Sequence, residues 1–190
     1  MESKRKYIIF SAPSGSGKTT IVQEMMKKAL PLSFSISATS RSPRNNELHE
    51  KDYYFLSPEE FKKKIDNKEF IEWEEVYSGT HYGTLFAELD RIFSIHKIPV
   101  FDVDVIGGVN LKKILGKQAL SIFIQVPDIK ELEKRLKGRG TDNEESIRKR
   151  IDKAAYEMTF ASQFDEIIIN DDLNTAVEET YQIIQKFINE

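Results

Sequence analysis

The chain has 190 residues, 28 basic and 31 acidic side chains, no cysteine and a net charge of −3 at pH 7. This length fits one domain with its own core, and the near-neutral charge argues against a nucleic-acid binder or a polybasic membrane module. The absence of cysteine excludes a disulfide scaffold, a thiol nucleophile and a thiolate zinc site, and it is compatible with a reducing cytosol. The first apolar run, Tyr7 to Phe10, is too short for a secretory signal or a membrane span, so we expect a cytoplasmic protein.

Strand-like and helix-like segments alternate along most of the chain. Tyr7 to Phe10 precedes a loop rich in Ser, Pro and Gly and predicts a buried strand. Residues 22–30 carry apolar side chains at helical spacing, which predicts a helix that Pro31 ends. Further strands are predicted at 98–105, 120–126 and 166–170, and further helices at 85–95, 109–115, 129–136, 144–160 and 173–188. The alternation predicts a mainly parallel sheet with helices on both faces.

Two segments interrupt this alternation. Residues 34–84 are rich in aromatic and hydroxyl side chains and predict a small mixed subdomain inserted in the sheet. Residues 137–150 are almost wholly polar, with two glycines around Arg139 and a capping-box pattern from Thr141 to Glu144, and they predict a mobile lid. We therefore expect a single domain over 1–190, with a core formed by 1–33, 85–136 and 151–190.

The loop after the first strand carries the strongest chemical signal. It reads Ala12-Pro13-Ser14-Gly15-Ser16-Gly17-Lys18-Thr19 and matches the phosphate-binding pattern G-x-x-x-x-G-K-[ST] except at Ala12, which is harmless if its φ is negative. Backbone N–H groups and the helix N-terminus can cradle phosphate oxygens there. Lys18 is expected to reach the β- and γ-phosphates, and the Thr19 hydroxyl to help hold Mg²⁺. We assign this loop and Thr20 to ATP; the alternative is a Gly/Ser-rich turn that happens to contain a lysine.

Several motifs in order make the sequence resemble the guanylate kinase family. They are T-S-R-x-x-R at 39–44, D-Y-x-F at 52–55, F-I-E-W at 70–73, Y-G-T at 82–84, F-D-V-D at 101–104, G-R-G-T-x-x-E-E-S-I-x-K-R at 138–150 and I-x-N-D-D at 168–172. The resemblance runs from about Lys6 to the last helix, and collinear motifs are far more specific than any one of them. It implies an α/β, three-layer P-loop NTPase fold with a mainly parallel sheet, an inserted mixed GMP-binding subdomain and a helical lid.

The resemblance also implies which residues bind GMP. The ligands of its phosphate correspond to Arg41, Arg44, Tyr53 and Tyr82, and the contacts of guanine correspond to Ser37, Glu72, Thr84 and Asp104. The chemistry agrees, because guanidinium groups match the oxygens of a phosphate dianion. A carboxylate accepts from both N1–H and N2 of guanine, whereas adenine offers an unprotonated N1. One departure is Glu50, which stands in the turn before D-Y-x-F where the family usually has glycine.

Asp102 and Asp104 end the strand predicted at 98–105. Strand alternation places both side chains on one face, and ligands of open α/β sheets bind beyond the carboxyl ends of the strands. We expect Asp102 to lie beside GMP and to approach Mg²⁺ through a water molecule, and Asp104 to contact guanine. The alternative is that one of the two caps the following helix.

The resemblance implies a phosphotransferase that passes the γ-phosphoryl group of ATP to GMP, giving ADP and GDP in purine nucleotide metabolism. Its catalytic residues correspond to Lys18, Arg44, Arg139 and Arg150, and Arg135 and Asn170 correspond to residues at ATP. Arginines that arrive as lid and subdomain close stabilise the charge of the transferred group. Mg²⁺ is the expected cofactor, and no general base is needed because a phosphate monoester is already an anion near neutral pH.

Two other functions fit parts of the sequence. One is an inactive guanylate-kinase-like module that holds a partner peptide, against which Lys18 and the lid arginines argue. The other is a kinase for another mononucleotide or a different P-loop NTPase, against which Glu72 and Asp104 argue. The expected partners are ATP and GMP, with dGMP as an open alternative, and neither nucleic acid nor membrane. We expect a monomer or a weak homodimer.

Overall fold

The fold comes from a computed structural model of the chain, which describes residues 5–77, 79–138 and 144–190. The chain forms two compact units. The P-loop unit comprises Met1–Leu30 and Val100–Glu190, and the inserted unit comprises Pro31–Pro99. The second unit therefore includes more of the chain than the segment 34–84 that the sequence suggested.

In chain order the elements are β1 (Tyr7–Ser11), α1 (Lys18–Lys27), β2 (Leu32–Phe34), β3 (Ala38–Thr39), β4 (Tyr54–Phe55), α2 (Pro58–Asp66), β5 (Phe70–Tyr77), β6 (Thr80–Leu85), α3 (Phe86–Ser94), β7 (Ile98–Asp102), α4 (Val105–Leu115), β8 (Ala119–Gln125), α5 (Ile129–Gly138), α6 (Glu144–Met158), β9 (Glu166–Ile169) and α7 (Leu173–Asn189). Single turns of 3₁₀ helix cover Gly116–Gln118 and Ala161–Gln163.

The P-loop unit is built on parallel strands in the order β7-β1-β8-β9. Phe10 lies opposite Asp102 on one side and Ile122 on the other. All five residues of β1 are buried, so both faces of the sheet are covered. Helix α4 packs on β1 and β8, and α1 packs on β1 and α7. The mainly parallel sheet between helical layers is confirmed.

Two predicted boundaries in this unit are wrong. Helix α1 ends at Lys27 rather than at Leu30, and Lys28 is already extended. Proline disfavours the helical conformation only at Leu30, the residue directly before it, so Pro31 does not account for the extended backbone of Lys28. Strand β7 ends at Asp102 and α4 begins at Val105, four residues before the predicted start at Val109. The run predicted as one strand therefore covers β7, the N-cap Asp104 and only the first residue of α4.

The inserted unit contains a second, mixed sheet in the order β4-β3-β6-β5. Strands β3 and β4 are parallel, whereas β6 runs antiparallel to β3 and β5. Helix α2 begins with a capping box, in which the Ser57 and Glu60 side chains accept from each other's backbone N–H groups. Its Phe61 packs with Ala38, Phe70 and Leu85 in the core of the unit. The mixed subdomain predicted from the sequence is present.

The polar segment predicted as a lid is helical at both ends, where α5 ends at Gly138 and α6 begins at Glu144. Arg139 and the capping pattern that begins at Thr141 lie outside the described residues. No helix within the described ranges is long and apolar enough to cross a membrane.

Candidate functional site

The loop between β1 and α1 has the backbone geometry of an anion cradle. Gly15 and Gly17 take φ values of 95° and 90°, which L side chains rarely adopt, and Gly17 caps α1. A Cβ at Gly17 would also collide with the Asn170 side chain. Ala12 is not among the described residues with positive φ, so alanine fits where the pattern has its first glycine. The loop therefore presents a helix N-terminus of the kind that binds phosphate.

Lys18 reaches from this loop to the carboxyl end of β7. Its Nζ lies 2.6 Å from Asp102 Oδ1 and donates a 2.5 Å hydrogen bond to Val103 O. Both side chains are about one-fifth exposed, at 18%. The ion pair places a cation and a carboxylate at the edge of the sheet where ligands of α/β folds bind.

The oxygen donors here suit Mg²⁺. Thr19 and Asp102 supply a hydroxyl and a carboxylate, the hard ligands that this ion prefers. Among the described residues there is no group of three His, Cys, Asp or Glu side chains that could hold a metal. Such a cage is unnecessary, because Mg²⁺ usually keeps several waters and binds through one or two protein oxygens and the substrate phosphates. Thr19 and Asp102 therefore fit an Mg²⁺ ion that is bound together with the nucleotide.

Asp104 does not share a strand face with Asp102. It lies beyond the end of β7 and is the N-cap of α4, where its Oδ1 accepts a 2.7 Å hydrogen bond from Gly107 N. Aspartate at this position satisfies a helix N–H that would otherwise lack a partner. The predicted strand placement is wrong and the capping alternative is the one observed, while the contact with guanine stays a prediction.

Asn170 supports the P-loop from the end of β9. Its residue exposure is 4%, and its Nδ2 donates a 2.7 Å hydrogen bond to Ser16 O. Its backbone N donates to Gln125 O at 2.7 Å, which anchors it to β8. The amide thus fixes the loop carbonyl directly before Gly17. The family resemblance implies that Asn170 lies at ATP, and this contact gives the residue a structural function as well.

Replacing Asn170 by alanine is expected to lower the melting temperature and to raise KM for ATP, with KM for GMP unchanged. The reason is that Ser16 O loses its buried donor, which costs about 1–3 kcal/mol. Asn174, exposed in the first turn of α7, provides the matched control as Asn174→Ala. A normal KM for ATP in Asn170→Ala would show that the contact does not shape the loop.

Glu157 is a buried acid beside the P-loop that the sequence did not reveal. Its residue exposure is 8%, its Oε1 lies 3.6 Å from Lys153 Nζ, and its Oε2 has no hydrogen-bond partner. Burial raises the pKa of Glu157, although Lys153 and the nearby Ser14 N–H oppose the shift. The sequence signal for Glu157 is an acidic residue on the apolar side of α6. Acidic side chains are rarely fully buried unless they are paired.

Three of the predicted phosphate ligands of GMP lie together in the inserted unit. Arg41 Nε donates a 3.0 Å hydrogen bond to Tyr82 Oη, and the Arg41 guanidinium carbon lies 5.0 Å from the centre of the Tyr53 ring. The rings of Tyr53 and Tyr82 are 5.9 Å apart. Burial and Tyr82 raise the pKa of Tyr53, so its hydroxyl stays protonated and able to donate. A cation with two phenols is suited to bind a phosphate.

Glu47 completes this cluster and was missed in the sequence. Its carboxylate accepts from Arg41 Nη1 at 2.6 Å and from Nη2 at 2.8 Å, and it also accepts from Arg44 N at 2.7 Å. The Arg41 hydrogen bonds and the Arg44 N–H lower the pKa of Glu47 to about 2. It orients Arg41 through the paired geometry that a phosphate also uses. The sequence signal was an acid six residues after an arginine in a turn-rich segment.

The predicted guanine contacts Glu72 and Thr84 are cross-strand neighbours. They lie opposite each other in the β5–β6 pair, and Thr84 Oγ1 donates a 3.0 Å hydrogen bond to Glu72 Oε1. In the β3–β6 register Ala38 lies opposite Gly83, and Ser37 directly precedes Ala38. The sheet therefore brings Glu72 and Thr84 together, with a carboxylate whose orientation a hydroxyl fixes.

The other predicted residues are placed as follows. Arg44 is exposed in the turn after β3. Arg135 in α5 donates from Nε to Glu131 Oε1 at 2.8 Å and from Nη2 to Asp171 O at 3.4 Å. Arg150 lies in α6 and is half-buried. Arg139 lies outside the described residues.

The turn before Tyr53 holds Glu50 in the left-handed region, with φ of 64°. Its backbone N donates to Tyr53 O at 3.0 Å, which closes the turn. A side chain in this conformation costs about 1–2 kcal/mol. This strain explains why glycine suits the position in the family that the sequence resembles.

Glu50→Gly is accordingly expected to raise the free energy of unfolding by about 0.5–1 kcal/mol, since the relieved strain exceeds the entropy cost of glycine. Urea denaturation measures this change. Glu50→Ala is the control, because it removes the carboxylate and keeps the Cβ, so no gain is expected. A stability of Glu50→Gly equal to that of the parent protein would contradict the strain.

Comparisons with protein families, curated proteins and solved structures all match nearly the whole chain. A family model described as guanylate kinase matches residues 4–187. A guanylate kinase of Bacteroides thetaiotaomicron is 55% identical over 184 residues, which are 97% of this chain and 90% of that protein. One from Porphyromonas gingivalis is 50% identical over 96% of this chain and 98% of its own. The crystal structure of guanylate kinase from Anaplasma phagocytophilum matches with a TM-score of 0.72 at 25% identity, over 96% of this chain and 85% of that one.

Proposed function

Since this chain belongs to the guanylate kinase family, we propose that its P-loop unit binds ATP and its inserted unit binds GMP. The enzyme transfers the γ-phosphoryl group of ATP to GMP, giving ADP and GDP. The observation that carries the GMP assignment is the cluster of Arg41, Tyr53 and Tyr82 on the same sheet as Glu72 and Thr84. One part of this sheet suits a phosphate and the other suits a purine with adjacent donors.

ATP binding follows from the loop geometry. The N–H groups around Gly15 and Gly17 take phosphate oxygens, and Lys18 leaves its contact with Asp102 to bind the β- and γ-phosphates. Asn170 keeps the loop in shape through Ser16 O. These contacts position the donor phosphates before the reaction begins, which removes orientational freedom from the barrier.

GMP binding uses charge for the phosphate and hydrogen-bond pattern for the base. Arg41 donates from Nε to Tyr82, from Nη1 to Glu47 and Ser42 O and from Nη2 to Glu47, so one Nη2–H remains for the phosphate. The hydroxyls of Tyr53 and Tyr82 act with it, and Arg44 adds a second cation. The Glu72 carboxylate accepts from guanine N1–H and N2, with Thr84 fixing its orientation. Ser37 and Asp104 are further proposed contacts of the base.

Catalysis is positioning and charge stabilisation rather than proton transfer. The acceptor phosphate is already anionic, because its second pKa is about 6. Lys18 and Arg44 bind the phosphates, and Arg135, Arg139 and Arg150 are the proposed cations of the lid that stabilise the equatorial oxygens of the transferred group. Thr19, and Asp102 through water, would hold Mg²⁺, which would supply neutralisation of the phosphate charge. We place the enzyme in the cytoplasm, with ATP and GMP as its ligands.

A coupled assay of ADP release separates this enzyme from an inactive peptide-binding module. Purified protein with Mg²⁺ and ATP is expected to release ADP only when GMP is added, with GDP formed in equal amount. GMP binding without any ADP release, measured by calorimetry beside the assay, would contradict the proposal and favour the binding module.

A further inference from the structure

Glu88 in α3 receives hydrogen bonds from three segments of the inserted unit. Its side chain is 0% exposed. Oε1 accepts from Ile36 N at 2.9 Å and from Arg91 Nη2 at 2.8 Å, and Oε2 accepts from Tyr54 Oη at 2.8 Å and from Arg91 Nε at 2.7 Å. A carboxylate buried so completely persists only when it is paired, and here both oxygens are.

The protonation states favour this arrangement at neutral pH. Burial by itself raises the pKa of Glu88, but the hydrogen bonds from Arg91, the Ile36 N–H and Tyr54 outweigh burial and lower it. Burial and the bond to Glu88 raise the pKa of Tyr54 to about 12. Glu88 is therefore ionised and Tyr54 protonated, so the tyrosine donates to a charged acceptor, which is the stronger kind of hydrogen bond.

The residues that Glu88 holds are the direct neighbours of two proposed GMP ligands. Ile36 precedes Ser37, and Tyr54 follows Tyr53. Tyr54 N also donates to Ser37 O at 2.9 Å, so the two segments are bonded to each other as well as to Glu88. In extended chain, adjacent side chains point to opposite faces. With Tyr54 directed at Glu88, Tyr53 is turned to the other face, where its ring stacks under Arg41.

We propose that Glu88 is a positioning residue of the GMP site, which fixes Ser37 through Ile36 and Tyr53 through Tyr54. It touches neither substrate and acts through the two segments that it bonds. This inference rests on the proposed function, because it presumes that Ser37 and Tyr53 bind GMP. Its consequence is selective: a fault at Glu88 weakens GMP binding and leaves the P-loop unit unaffected.

The first test is Glu88→Gln, which keeps the size of the side chain and removes its charge. KM for GMP and the calorimetric Kd of GMP are expected to rise about tenfold or more, since all the hydrogen bonds that Glu88 accepts lose their charged acceptor at once. KM for ATP is expected to stay within about twofold of the parent value. The matched control is Glu69→Gln, which removes the charge of an acid that is paired with Lys64 in the same unit.

Tyr54→Phe is a second, milder variant that carries the test if Glu88→Gln fails to fold. It removes one donor to Glu88 and keeps the ring, so a rise of about threefold to tenfold in the Kd of GMP is expected. A fall in melting temperature with the Kd of GMP unchanged in both variants would overturn the inference and leave Glu88 a purely structural residue. An equal rise in KM for ATP would overturn it as well. Absence of GMP binding by the parent protein would instead overturn the proposed function, and this inference with it.

Discussion

Replacing Lys18 by alanine is expected to lower kcat by about 10²–10³-fold, or 3–4 kcal/mol, while GMP binding stays normal. The size follows from enzymes that lose a single donor to the charge developing in the transition state. The structure supports this magnitude, because Lys18 is the first residue of α1 and its Nζ is directed to the carboxyl edge of the sheet by Asp102 and Val103 O. Most of the proposed GMP ligands lie in the inserted unit and Lys18 is not among them, so the affinity for GMP is expected to change little.

The control for this variant is Lys27→Ala. Lys27 lies in the last turn of the same helix, is exposed, and pairs with Glu24 at 2.7 Å. An exposed pair of this kind contributes little, so its kcat is expected to be normal. Steady-state rates for both variants, with the calorimetric Kd of GMP, make the comparison. Near-normal turnover in Lys18→Ala would rule out the proposed ATP site.

The second large effect is expected at Glu72. Glu72→Gln keeps the shape of the side chain but leaves one acceptor where guanine presents two adjacent donors. The expected loss is about 1–3 kcal/mol in kcat/KM for GMP, the usual cost of a buried group left without its partner. KM for ATP is expected to remain unchanged. The 3.0 Å hydrogen bond from Thr84 Oγ1 to Glu72 Oε1 adds to the effect, because an amide oxygen that keeps accepting from Thr84 turns its NH₂ group toward the guanine donors.

Two further variants sharpen the Glu72 result. Glu59→Gln changes an exposed acid in the first turn of α2 and is expected to behave as the parent enzyme. Thr84→Val keeps the size of the side chain and removes the hydroxyl, and it is expected to lower GMP efficiency in the same direction. If Glu72→Gln left GMP efficiency intact, or reduced ATP affinity equally, Ser37 and Asp104 would have to read the base.

The elements and the P-loop could be predicted because their signals are local. A strand, two glycines, Lys18 and Thr19 occupy one short stretch, so the motif can be recognised from neighbouring residues alone. Asp104 shows where such reasoning goes wrong. Alternation alone extended β7 to Val105, although aspartate is among the preferred N-caps and Gly107 lies three residues later. The sequence therefore carries a capping signal at Asp104 that competes with the strand pattern.

The partners of buried acids could not be predicted in the same way. In the sequence Glu88 looks like an ordinary acidic residue of an amphipathic helix. Its hydrogen bonds nevertheless reach Ile36, which lies 52 residues earlier, and Tyr54, which lies 34 residues earlier. Glu157 is likewise separated from the P-loop along the chain. Such pairings are set by how strands and helices pack, and no spacing within the sequence encodes them.

The choice of phosphoryl acceptor tests the central claim most directly. With Mg²⁺ and ATP present, equal concentrations of GMP and AMP are offered together and the diphosphates formed are separated by chromatography. A site that binds guanine through a carboxylate predicts GDP as the product, with an equal amount of ADP formed from ATP. AMP is expected to be discriminated against by about 10⁴-fold. Consumption of AMP at a rate similar to that of GMP, or ADP release without either acceptor, would contradict a guanylate kinase.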